Sequence, residues 1–461
     1  MKYMTAEPFR IKMVEPIKKT TKAYRQECLK KAQYNAFRLR AEDVYIDCIT
    51  DSGTSAMSQD QWSAMFQGDE SYAGCKSFYR LEASVQDVFG MPFVQPTHQG
   101  RAADYIMAQI YARKGMYAIG NMHFDTFRGN AEVMGCIPLD FCIQEGQRAN
   151  QDYHPFKGNI DIPRMKAFLE EQAQNVCCTI ITVTCNNNGG QPVSMENIRE
   201  VSGLCRQYGI PLIIDSARLA ENAYFIRTRE PGYENTPIKE ITREMFSYAE
   251  TATMSSKKDG LVNIGGLFVT RNEDVYHQAN QMAIVHEGFI TYGGMSGRDM
   301  EALAVGLQEA TDIEYLTYRI AQVKYLGDRL KEKGVPIIEP TGGHGVYVDG
   351  MRFFPQIPQC EFPSQRLVVA LYEEAGVRAV EIGACAFGKK DPVTGADIWP
   401  ELETMRICVS RRVYTNNHLD VIAEALGDIY QNRASYKGMR LIYEGPITSL
   451  RHFTAGFELI E

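Results

Sequence analysis

Two adjacent lysines, Lys257 and Lys258, stand in the segment MSSKKDGLVNIGG, between a predicted strand and a glycine pair. Neighbouring ammonium groups repel each other, and most such pairs are simply solvated in a surface loop. A second explanation for the pair is chemical. A lysine amine that has lost its proton acts as a nucleophile or a base. The rest of the chain must then supply the groups with which such an amine would work.

An acidic residue and a basic residue precede the lysines on a neighbouring predicted strand. Asp215 ends the run IPLIID, 43 residues before Lys258, and Arg218 follows it. Pyridoxal 5′-phosphate needs a lysine amine for its Schiff base and an acidic partner that keeps its ring nitrogen protonated, which makes the ring an electron sink. Asp215 and Lys258 meet that need, and an aspartate that caps the next turn is the plain alternative.

The elements that must position these residues alternate between β-rich and helical patterns in the middle of the chain. The pattern of VCCTIITVTC is typical of a buried strand, SMENIREVSGLCRQYG of a helix from Ser194 to Gly209, and IPLIIDSAR of the next strand. A βαβ unit of this kind predicts a parallel sheet covered by helices. Ligands of such sheets bind beyond the carboxyl ends of the strands, where Asn186, Asp215 and Lys258 converge.

Composition narrows the class of protein. The 461 residues are 44% hydrophobic and carry a net charge of −8, so the chain can bury a core and has no basic tract for nucleic acid or an anionic membrane. The 12 cysteines are scattered without C-x-x-C spacing, which is typical of reduced thiols. We see no signal peptide and no apolar run near the ~20 residues of a membrane helix. We expect a cytoplasmic protein with a small-molecule partner.

Eight segments, in order from about Glu7 to Thr454, give the chain a family resemblance. They are ITDSGTSAMS, GDESYAG, PTHQGRAA, NNNGGQPVS, DSARLAENAYFI, MSSKKDGLVNIGG, TYGGMSGRDMEALAVGL and SRRVYT. Together they resemble the β-eliminating lyases of pyridoxal-phosphate fold type I, the family of tryptophanase and tyrosine phenol-lyase. The resemblance implies pyridoxal phosphate as the cofactor, an amino acid as the substrate and a homotetramer that is a dimer of dimers.

The same resemblance implies the architecture of the chain. The fold would be α/β and similar to aspartate aminotransferase, with a mostly parallel sheet sandwiched by helices in a large cofactor-binding domain, residues 51–320. A smaller α+β domain would be built from both ends of the chain, residues 1–50 and 321–461. A long helix predicted over IEYLTYRIAQVKYLGDRLKEKG lies across the second boundary.

The resemblance also implies the cofactor site residue by residue. Lys258 becomes the Schiff-base lysine, and Lys257 becomes a cationic neighbour that favours its neutral amine. Asp215 pairs with the ring nitrogen, whereas Asn186 and Arg218 reach the phenolic oxygen of the cofactor. The residues implied for stacking on the ring and for binding the phosphate are Phe124, Gln99, Gly100, Arg101 and Ser255.

Substrate and cation ligands follow from the resemblance as well. Arg411, in SRRVYT, would hold the substrate α-carboxylate with help from Thr50 and Ser52, because a guanidinium matches a carboxylate bidentately. Tyr72 would protonate the leaving group from a neighbouring subunit. The residues implied for a monovalent cation, potassium, are Gly53, Glu70 and Asn263.

Three positions separate the two branches of this family. Phenol-lyases have an arginine where this chain has Ile382, a threonine where it has Asp125, and a phenylalanine where it has His452. An apolar residue cannot hydrogen-bond a phenol oxygen, whereas a carboxylate can accept the indole N–H. We therefore expect conversion of L-tryptophan into indole, pyruvate and ammonia. Phenol release from L-tyrosine is the alternative, followed by an aminotransferase on the same fold or a protein that only binds the cofactor.

Overall fold

The computed structural model describes residues 5–148, 152–391, 394–445 and 450–460. The strands in this part of the chain are β1 (Ile46–Asp47), β2 (Phe93–Thr97), β3 (Tyr117–Gly120), β4 (Ile137–Asp140), β5 (Val176–Thr182), β6 (Leu212–Asp215), β7 (Thr251–Ser255), β8 (Gly266–Thr270), β9 (Gly345–Asp349), β10 (Val377–Arg378), β11 (Val380–Ile382), β12 (Lys389–Lys390), β13 (Asp397–Ile398), β14 (Thr404–Cys408), β15 (Met439–Tyr443) and β16 (Gly456–Leu459).

The helices in the same part of the chain are α1 (Lys22–Lys31), α2 (Gln59–Met65), α3 (Lys76–Phe89), α4 (Gly100–Tyr111), α5 (Asp125–Val133), α6 (Gln144–Gln147), α7 (Ile162–Gln172), α8 (Met195–Tyr208), α9 (Leu219–Arg229), α10 (Ile238–Ser247), α11 (Glu273–His286), α12 (Gly297–Ala310), α13 (Ile313–Glu332), α14 (Gly350–Phe353), α15 (Pro363–Ala375), α16 (Ala384–Phe387), α17 (Asn416–Gln431) and α18 (Arg451–Thr454).

Within the described ranges the central sheet has seven strands, in the order β2-β8-β7-β6-β5-β3-β4. Strands β4, β3, β5, β6 and β7 run parallel, whereas β8 pairs antiparallel with both β7 and β2. Asp215, at the end of β6, is in register with Thr182 on β5 and with Thr253 on β7. The carboxyl ends of these three strands therefore meet at one edge of the sheet.

Helices cover both faces of this sheet. Ile181 and Ile214 belong to a buried cluster that includes side chains of α3 and α8. The residues directly before them, Ile180 and Ile213, belong to a second cluster with side chains of α4 and α11. Successive residues of a strand point to opposite faces, so strands covered on both sides are apolar throughout.

A further buried cluster lies in the C-terminal part of the chain. It joins the antiparallel sheet β11-β14-β9 with helices α13, α15 and α17 and with Ile46 and Cys48 near the N-terminus. The short strand β1 pairs with β10, so the N-terminal segment packs with the C-terminal elements. These clusters support the domain division at residues 50 and 320, which stays a prediction.

Two helices predicted from the sequence are confirmed. The side chain of Ser194 accepts the N–H of Asn197 at the start of α8, and Gly209 follows the helix with a φ of 67°, which favours glycine. The long helix is α13, where Asp312 accepts the N–H of Glu314. In the described ranges, none of the helices combines the length and the apolar character that crossing a membrane requires.

Candidate active site

A cavity of about 180 Å³ lies at the edge of the sheet where β5, β6 and β7 end. Its walls come from these strand ends, from the starts of α4 and α5, and from β11, β14 and α18 of the C-terminal part. The predicted site residues that it brings together are Thr50, Ser52, Gln99, Gly100, Arg101, Phe124, Asp125, Asn186, Asp215, Arg218, Ser255, Lys257, Lys258, Ile382 and His452. The predicted site residues outside its lining are Gly53, Glu70, Tyr72, Asn263 and Arg411.

Lys258 stands in this cavity as a buried amine. Its residue is 8% exposed, and Nζ lies 5.9 Å from the centre of the Phe124 ring. Burial and the nearby Arg218 lower the pKa of Lys258 to about 8, against the opposite effect of nearby carboxylates, of which Asp51 is the strongest. An amine with this pKa is unprotonated for a useful fraction of the time near neutral pH, as a nucleophile or a base requires.

Lys257 lies beside the residues predicted to bind the phosphate. Its Nζ donates to Gln99 Oε1 at 3.4 Å, and burial and Arg101 lower its own pKa. The strongest cationic influence on the pKa of Lys258 is Arg218. The role of Lys257 as a cationic neighbour of Lys258 stays a prediction, and its contact with Gln99 places it beside the residues predicted to bind the phosphate.

Asp215 ends β6 in the cavity wall. Desolvation raises the pKa of Asp215, and the ammonium group of Lys258 opposes that shift. A protonated ring nitrogen beside this carboxylate would hold it in the ionised form by the same attraction. The position is thus suited to the predicted partner of the ring nitrogen.

The start of α4 forms a cationic end of the cavity. The helix begins at Gly100, where an added Cβ would lie 2.4 Å from the Cβ of Ser255, so the close approach requires glycine. The first N–H groups of a helix have no partner within it and carry partial positive charge. With Arg101 and Lys257 beside them, they are suited to a phosphate dianion.

The residues present therefore fit pyridoxal phosphate. The start of α4, where a glycine leaves room, matches its phosphate. The amine of Lys258 matches its aldehyde, and the carboxylate of Asp215 matches its ring nitrogen. The ring of Phe124 lies in the same cavity, where a planar heterocycle can stack on it.

Arg406 lines the cavity, although the sequence analysis did not select it. From β14 its Nη1 donates to Asn186 Oδ1 at 2.8 Å and its Nη2 to the Ile49 carbonyl at 3.2 Å. Its Nε is buried and has no hydrogen-bond partner among the described residues. An arginine in the middle of the otherwise apolar strand TMRIC was the signal in the sequence, because such a charge needs a partner or a function.

Arg411 lies outside the cavity and is 0% exposed. Its guanidinium pairs with Asp51 at 2.8 Å, Glu221 at 2.8 Å and Asp259 at 2.9 Å. Removing one partner of a buried ion pair is strongly destabilising, so this cluster holds together segments that are far apart in sequence. The prediction that Arg411 holds the substrate carboxylate is therefore wrong.

Two residues predicted to act across a subunit boundary lie at the surface of the chain. Tyr72 is 69% exposed, and its ring contacts those of Phe289 and Tyr292 at 5.4 Å between centroids. Glu70 is exposed as well and pairs with Arg298 at 3.4 Å. Both side chains are accessible to a second subunit, and their roles stay predictions.

Two of the three predicted cation ligands are adjacent. The carbonyl of Gly53 accepts a hydrogen bond from Asn263 Nδ2 at 3.0 Å. A Cβ on Gly53 would lie 3.1 Å from the Asn263 carbonyl oxygen, so the two residues are in close contact at this point. Binding of a cation here stays a prediction.

The three residues that separate the family branches all line the cavity. Ile382 is 5% exposed. Desolvation raises the pKa of Asp125, whose Oδ1 accepts from Asn187 at 3.2 Å. Burial and Arg406 lower the pKa of His452 to about 4, so its imidazole is neutral at pH 7. His452 Nδ1 is buried without a hydrogen-bond partner in the part of the chain that the structure describes.

Comparison with known proteins decides the family. Residues 47–425 match the family described as β-eliminating lyase. The chain belongs to the β-eliminating lyase family. A tyrosine phenol-lyase of Fusobacterium nucleatum is 49% identical over 453 residues and 98% of each chain. A tryptophanase of Salinibacter ruber is 48% identical over 449 residues, which are 97% of this chain and 94% of that protein.

The names of these β-eliminating lyases do not settle the leaving group. Several further relatives, at 47% or 48% identity, are also named tyrosine phenol-lyase. The identity to the tryptophanase is the same within a percentage point, so overall similarity does not separate the two branches. The chain is an enzyme of this lyase family, and the family and the fold support pyridoxal phosphate as its cofactor.

The fold of this β-eliminating lyase is also found at much lower sequence identity. A threonine aldolase structure from Leishmania major has a TM-score of 0.58 at 13% identity and covers 84% of this chain and 99% of its own. At this identity the likeness concerns the fold alone. It confirms the predicted class, an α/β protein of pyridoxal-phosphate fold type I with a mostly parallel sheet between helices.

Proposed function

We propose that the chain uses pyridoxal phosphate to convert L-tryptophan and water into indole, pyruvate and ammonia. The observation that carries the proposal is a single cavity that contains Lys258 and Asp215 together with Asp125, Ile382 and His452. The first two residues supply the chemistry of β-elimination. The other three line the same cavity, where their polar atoms suit a ring with an N–H group and the apolar side chain of Ile382 suits a bicyclic ring.

When bound, pyridoxal phosphate supplies the electron sink for the electron pair left at the substrate α-carbon. Lys258 would hold the cofactor covalently, and its Nζ would take the α-proton of the substrate. Asp215 would keep the ring nitrogen protonated through an ion pair. The cationic start of α4 holds the phosphate and thereby fixes the orientation of the reacting atoms.

Arg406 is the proposed partner of the substrate α-carboxylate. It lines the cavity beside Asn186, and its Nε is a buried donor without a partner among the described residues. Thr50 and Ser52 line the same cavity and can add hydroxyl donors. A guanidinium binds a carboxylate bidentately, which fixes the amino acid in one orientation.

The leaving group must gain a proton before it departs, and Tyr72 of a neighbouring subunit is the proposed acid. Its hydrogen bond with Tyr292 raises the pKa of Tyr72, so the phenol is protonated at neutral pH. Asp125 is proposed to accept the indole N–H, while the neutral imidazole of His452 orients the ring. Ile382 offers no hydrogen bond to a phenol oxygen.

The reaction class can be tested by product stoichiometry. With cofactor and L-tryptophan, the protein should release pyruvate and ammonia in equal amounts without any added keto acid. An aminotransferase would need a keto acid and would release no ammonia. Failure to release ammonia from L-tryptophan, L-tyrosine and S-alkyl cysteine alike would contradict β-elimination as the activity.

A second candidate function is the release of phenol from L-tyrosine. It is favoured by the comparisons, because more of the similar relatives carry the name tyrosine phenol-lyase than the name tryptophanase. The names alone leave the substrate open, since relatives of both names have nearly the same identity to this chain. The wall of Asp125, Ile382 and His452 is the reason to place indole first.

The pKa of Lys258 gives a prediction for the cofactor-free protein. Only the neutral amine attacks the cofactor aldehyde, and Lys258 is protonated below its pKa of about 8. The rate of covalent attachment should therefore fall about tenfold per pH unit below that value and level off above it. Absorbance changes after rapid mixing measure this rate. A rate that does not change between about pH 6.5 and pH 8.5 would contradict the assignment.

We further propose a homotetramer, a dimer of dimers, with potassium bound by Gly53 and Asn263 of one subunit and Glu70 of the next. The close contact between Gly53 and Asn263 and the exposed position of Glu70 support this arrangement. Oxygen ligands of this kind suit a hard cation. The cytoplasmic location stays a prediction.

Shared active sites predict complementation between inactive variants. Tyr72→Phe and Lys258→Ala each inactivate every site in a pure assembly. If Tyr72 acts in a neighbour's cavity, dissociating and reassembling an equal mixture should restore about a quarter of the wild-type sites, because one site of each mixed pair has both residues. Activity assays before and after reassembly measure this gain. No gain, with mixed assemblies demonstrated by mass, would show that Tyr72 acts within its own subunit or not at all.

A further inference from the structure

Asp104 is a buried carboxyl group in the cofactor cavity that the proposed mechanism does not use. It lies on α4, is 7% exposed and lines the cavity. The hydroxyl of Thr126, at the start of α5, donates to its Oδ2, and the hydroxyl of Thr253 on β7 lies 3.4 Å from its Oδ1. Thr253 is the register partner of Asp215. Asp104 thus stands next to the carboxylate that is proposed to pair with the ring nitrogen.

The charged groups that act on Asp104 are Asp215 and Lys258. Burial and repulsion by Asp215 raise the pKa of Asp104 to about 7, while the two threonine hydroxyls and Lys258 oppose the shift. Two other elements, β8 and α11, pack against α4. Strand β8 carries no titratable side chain, and the ring of His286 on α11 contacts that of Tyr105, the residue after Asp104. In the cofactor-free protein, Asp104 therefore exchanges its proton close to neutral pH.

We propose that Asp104 is a positioning residue that gives up its proton when the cationic ring of the cofactor binds, and that its charge then strengthens the hold of Asp215 on the ring nitrogen. The proton goes to solvent, and no other bond is made or broken. A cation beside two carboxyl groups stabilises the ionised form of both. The inference rests on the proposed cofactor.

The hydrogen bond to Thr126 extends this effect to the neighbouring helix. An ionised carboxylate accepts a stronger hydrogen bond than a neutral carboxyl group does. Thr126 directly follows Phe124 and Asp125, which are proposed to contact the cofactor ring and the leaving group. Ionisation of Asp104 would therefore fix the start of α5 at the moment when the cofactor enters.

Proton release on cofactor binding tests the inference. Wild-type protein should release up to about one proton more than Asp104→Asn when pyridoxal phosphate binds, because the pKa of Asp104 falls on binding. The difference should be largest about one unit or more below pH 7, between the pKa of Asp104 in the cofactor-free protein and its lower pKa in the complex, and should vanish by about pH 9, where Asp104 is ionised in both states. The affinity of wild-type protein relative to the variant should accordingly rise with pH, by up to about tenfold per unit.

Titration calorimetry of cofactor-free protein in two buffers of different ionisation enthalpy counts these protons without measuring activity. Asp140→Asn is the matched control, because Asp140 lies outside the cavity lining and His123 and Arg128 keep its pKa low despite burial. This control should release as many protons as the wild type. Asp104→Glu, which keeps the carboxyl group, should still release the extra proton on binding.

The outcomes separate the inference from the proposed function. Equal proton release by wild type and Asp104→Asn would overturn the role of Asp104. Absence of pyridoxal phosphate binding to wild-type protein would overturn the proposed cofactor instead.

If Asp104→Asn does not fold, the same measurement of proton release on Thr126→Val tests the role of Asp104. This variant removes a hydroxyl that lowers the pKa of Asp104, so the release should move to higher pH, and an unmoved release would overturn the inference.

Discussion

Replacement of Lys258 by alanine should abolish turnover of L-tryptophan, with a loss in kcat of at least about a thousandfold. The variant loses both the covalent anchor of the cofactor and the base that takes the α-proton, and a positioned base alone contributes about a hundred- to ten-thousandfold. The visible absorbance of the lysine-bound cofactor should disappear as well. Steady-state kinetics, absorbance spectra and borohydride labelling followed by peptide mapping measure these effects.

Lys257→Ala is the matched control for this experiment. Lys257 contacts Gln99, and Arg218 is the strongest cationic influence on the pKa of Lys258. The control should keep the cofactor covalently attached and should bind it more weakly, because one cation near the proposed phosphate site is lost. A labelled peptide that carries the cofactor on Lys257 in the wild type would contradict the assignment of Lys258.

Changes in the wall of the cavity should alter the choice of leaving group. Asp125→Ala should lower kcat/KM for L-tryptophan about ten- to a hundredfold, which corresponds to the ~1.5 to 3 kcal/mol of a charge-assisted hydrogen bond. His452→Phe should lower it about two- to tenfold, because the imidazole is neutral and a neutral hydrogen bond contributes ~0.5 to 1.5 kcal/mol. Elimination from S-alkyl cysteine should lose much less, because a thiolate leaves without help from the wall. Kinetics with both substrates on each variant give the comparison.

Ile382→Val is the control for these variants. It keeps the position apolar and should change kcat/KM for both substrates little. Ile382→Arg adds the group that phenol-lyases have at this position and should raise the rate with L-tyrosine relative to L-tryptophan. Equal losses for L-tryptophan and S-alkyl cysteine in the Asp125 and His452 variants would mean that these residues support the fold or the cofactor, and do not select indole.

Local patterns in the sequence predicted the elements that build the cavity. Alternating β-rich and helical segments led to β5, α8 and β6, and the end residues Ser194 and Gly209 marked the helix because capping chemistry is local. The placement of Asp215 and Lys258 at one edge of the sheet followed from the rule for parallel strands. These features depend on neighbours in sequence or on a general rule of the fold.

Long-range electrostatics could not be predicted in the same way. Arg411 and Arg406 lie five positions apart, and only the packing of three distant segments shows that Arg411 pairs with Asp51, Glu221 and Asp259. The same packing makes Arg218 the strongest cationic influence on the pKa of Lys258. Charges act through space, so the sequence neighbour Lys257 was not a guide to the strongest one.

The pairing of Asp104 with Asp215 could not be predicted from the sequence for a related reason. An aspartate in the segment QGRAADYIMAQ resembles any polar residue of an amphipathic helix. Its burial next to Asp215 depends on how α4 packs on β7 and α5, which the sequence pattern of α4 does not contain. A prediction of this carboxyl pair requires the structure.

The central claim is that this lyase cavity selects indole, and one competition measures it most directly. The purified protein with pyridoxal phosphate and potassium is given L-tryptophan and L-tyrosine at equal concentration, and indole and phenol are followed together with pyruvate. The wall of Asp125, Ile382 and His452 predicts a larger kcat/KM for indole release than for phenol release. Faster release of phenol from L-tyrosine would contradict the account and would establish the second candidate function.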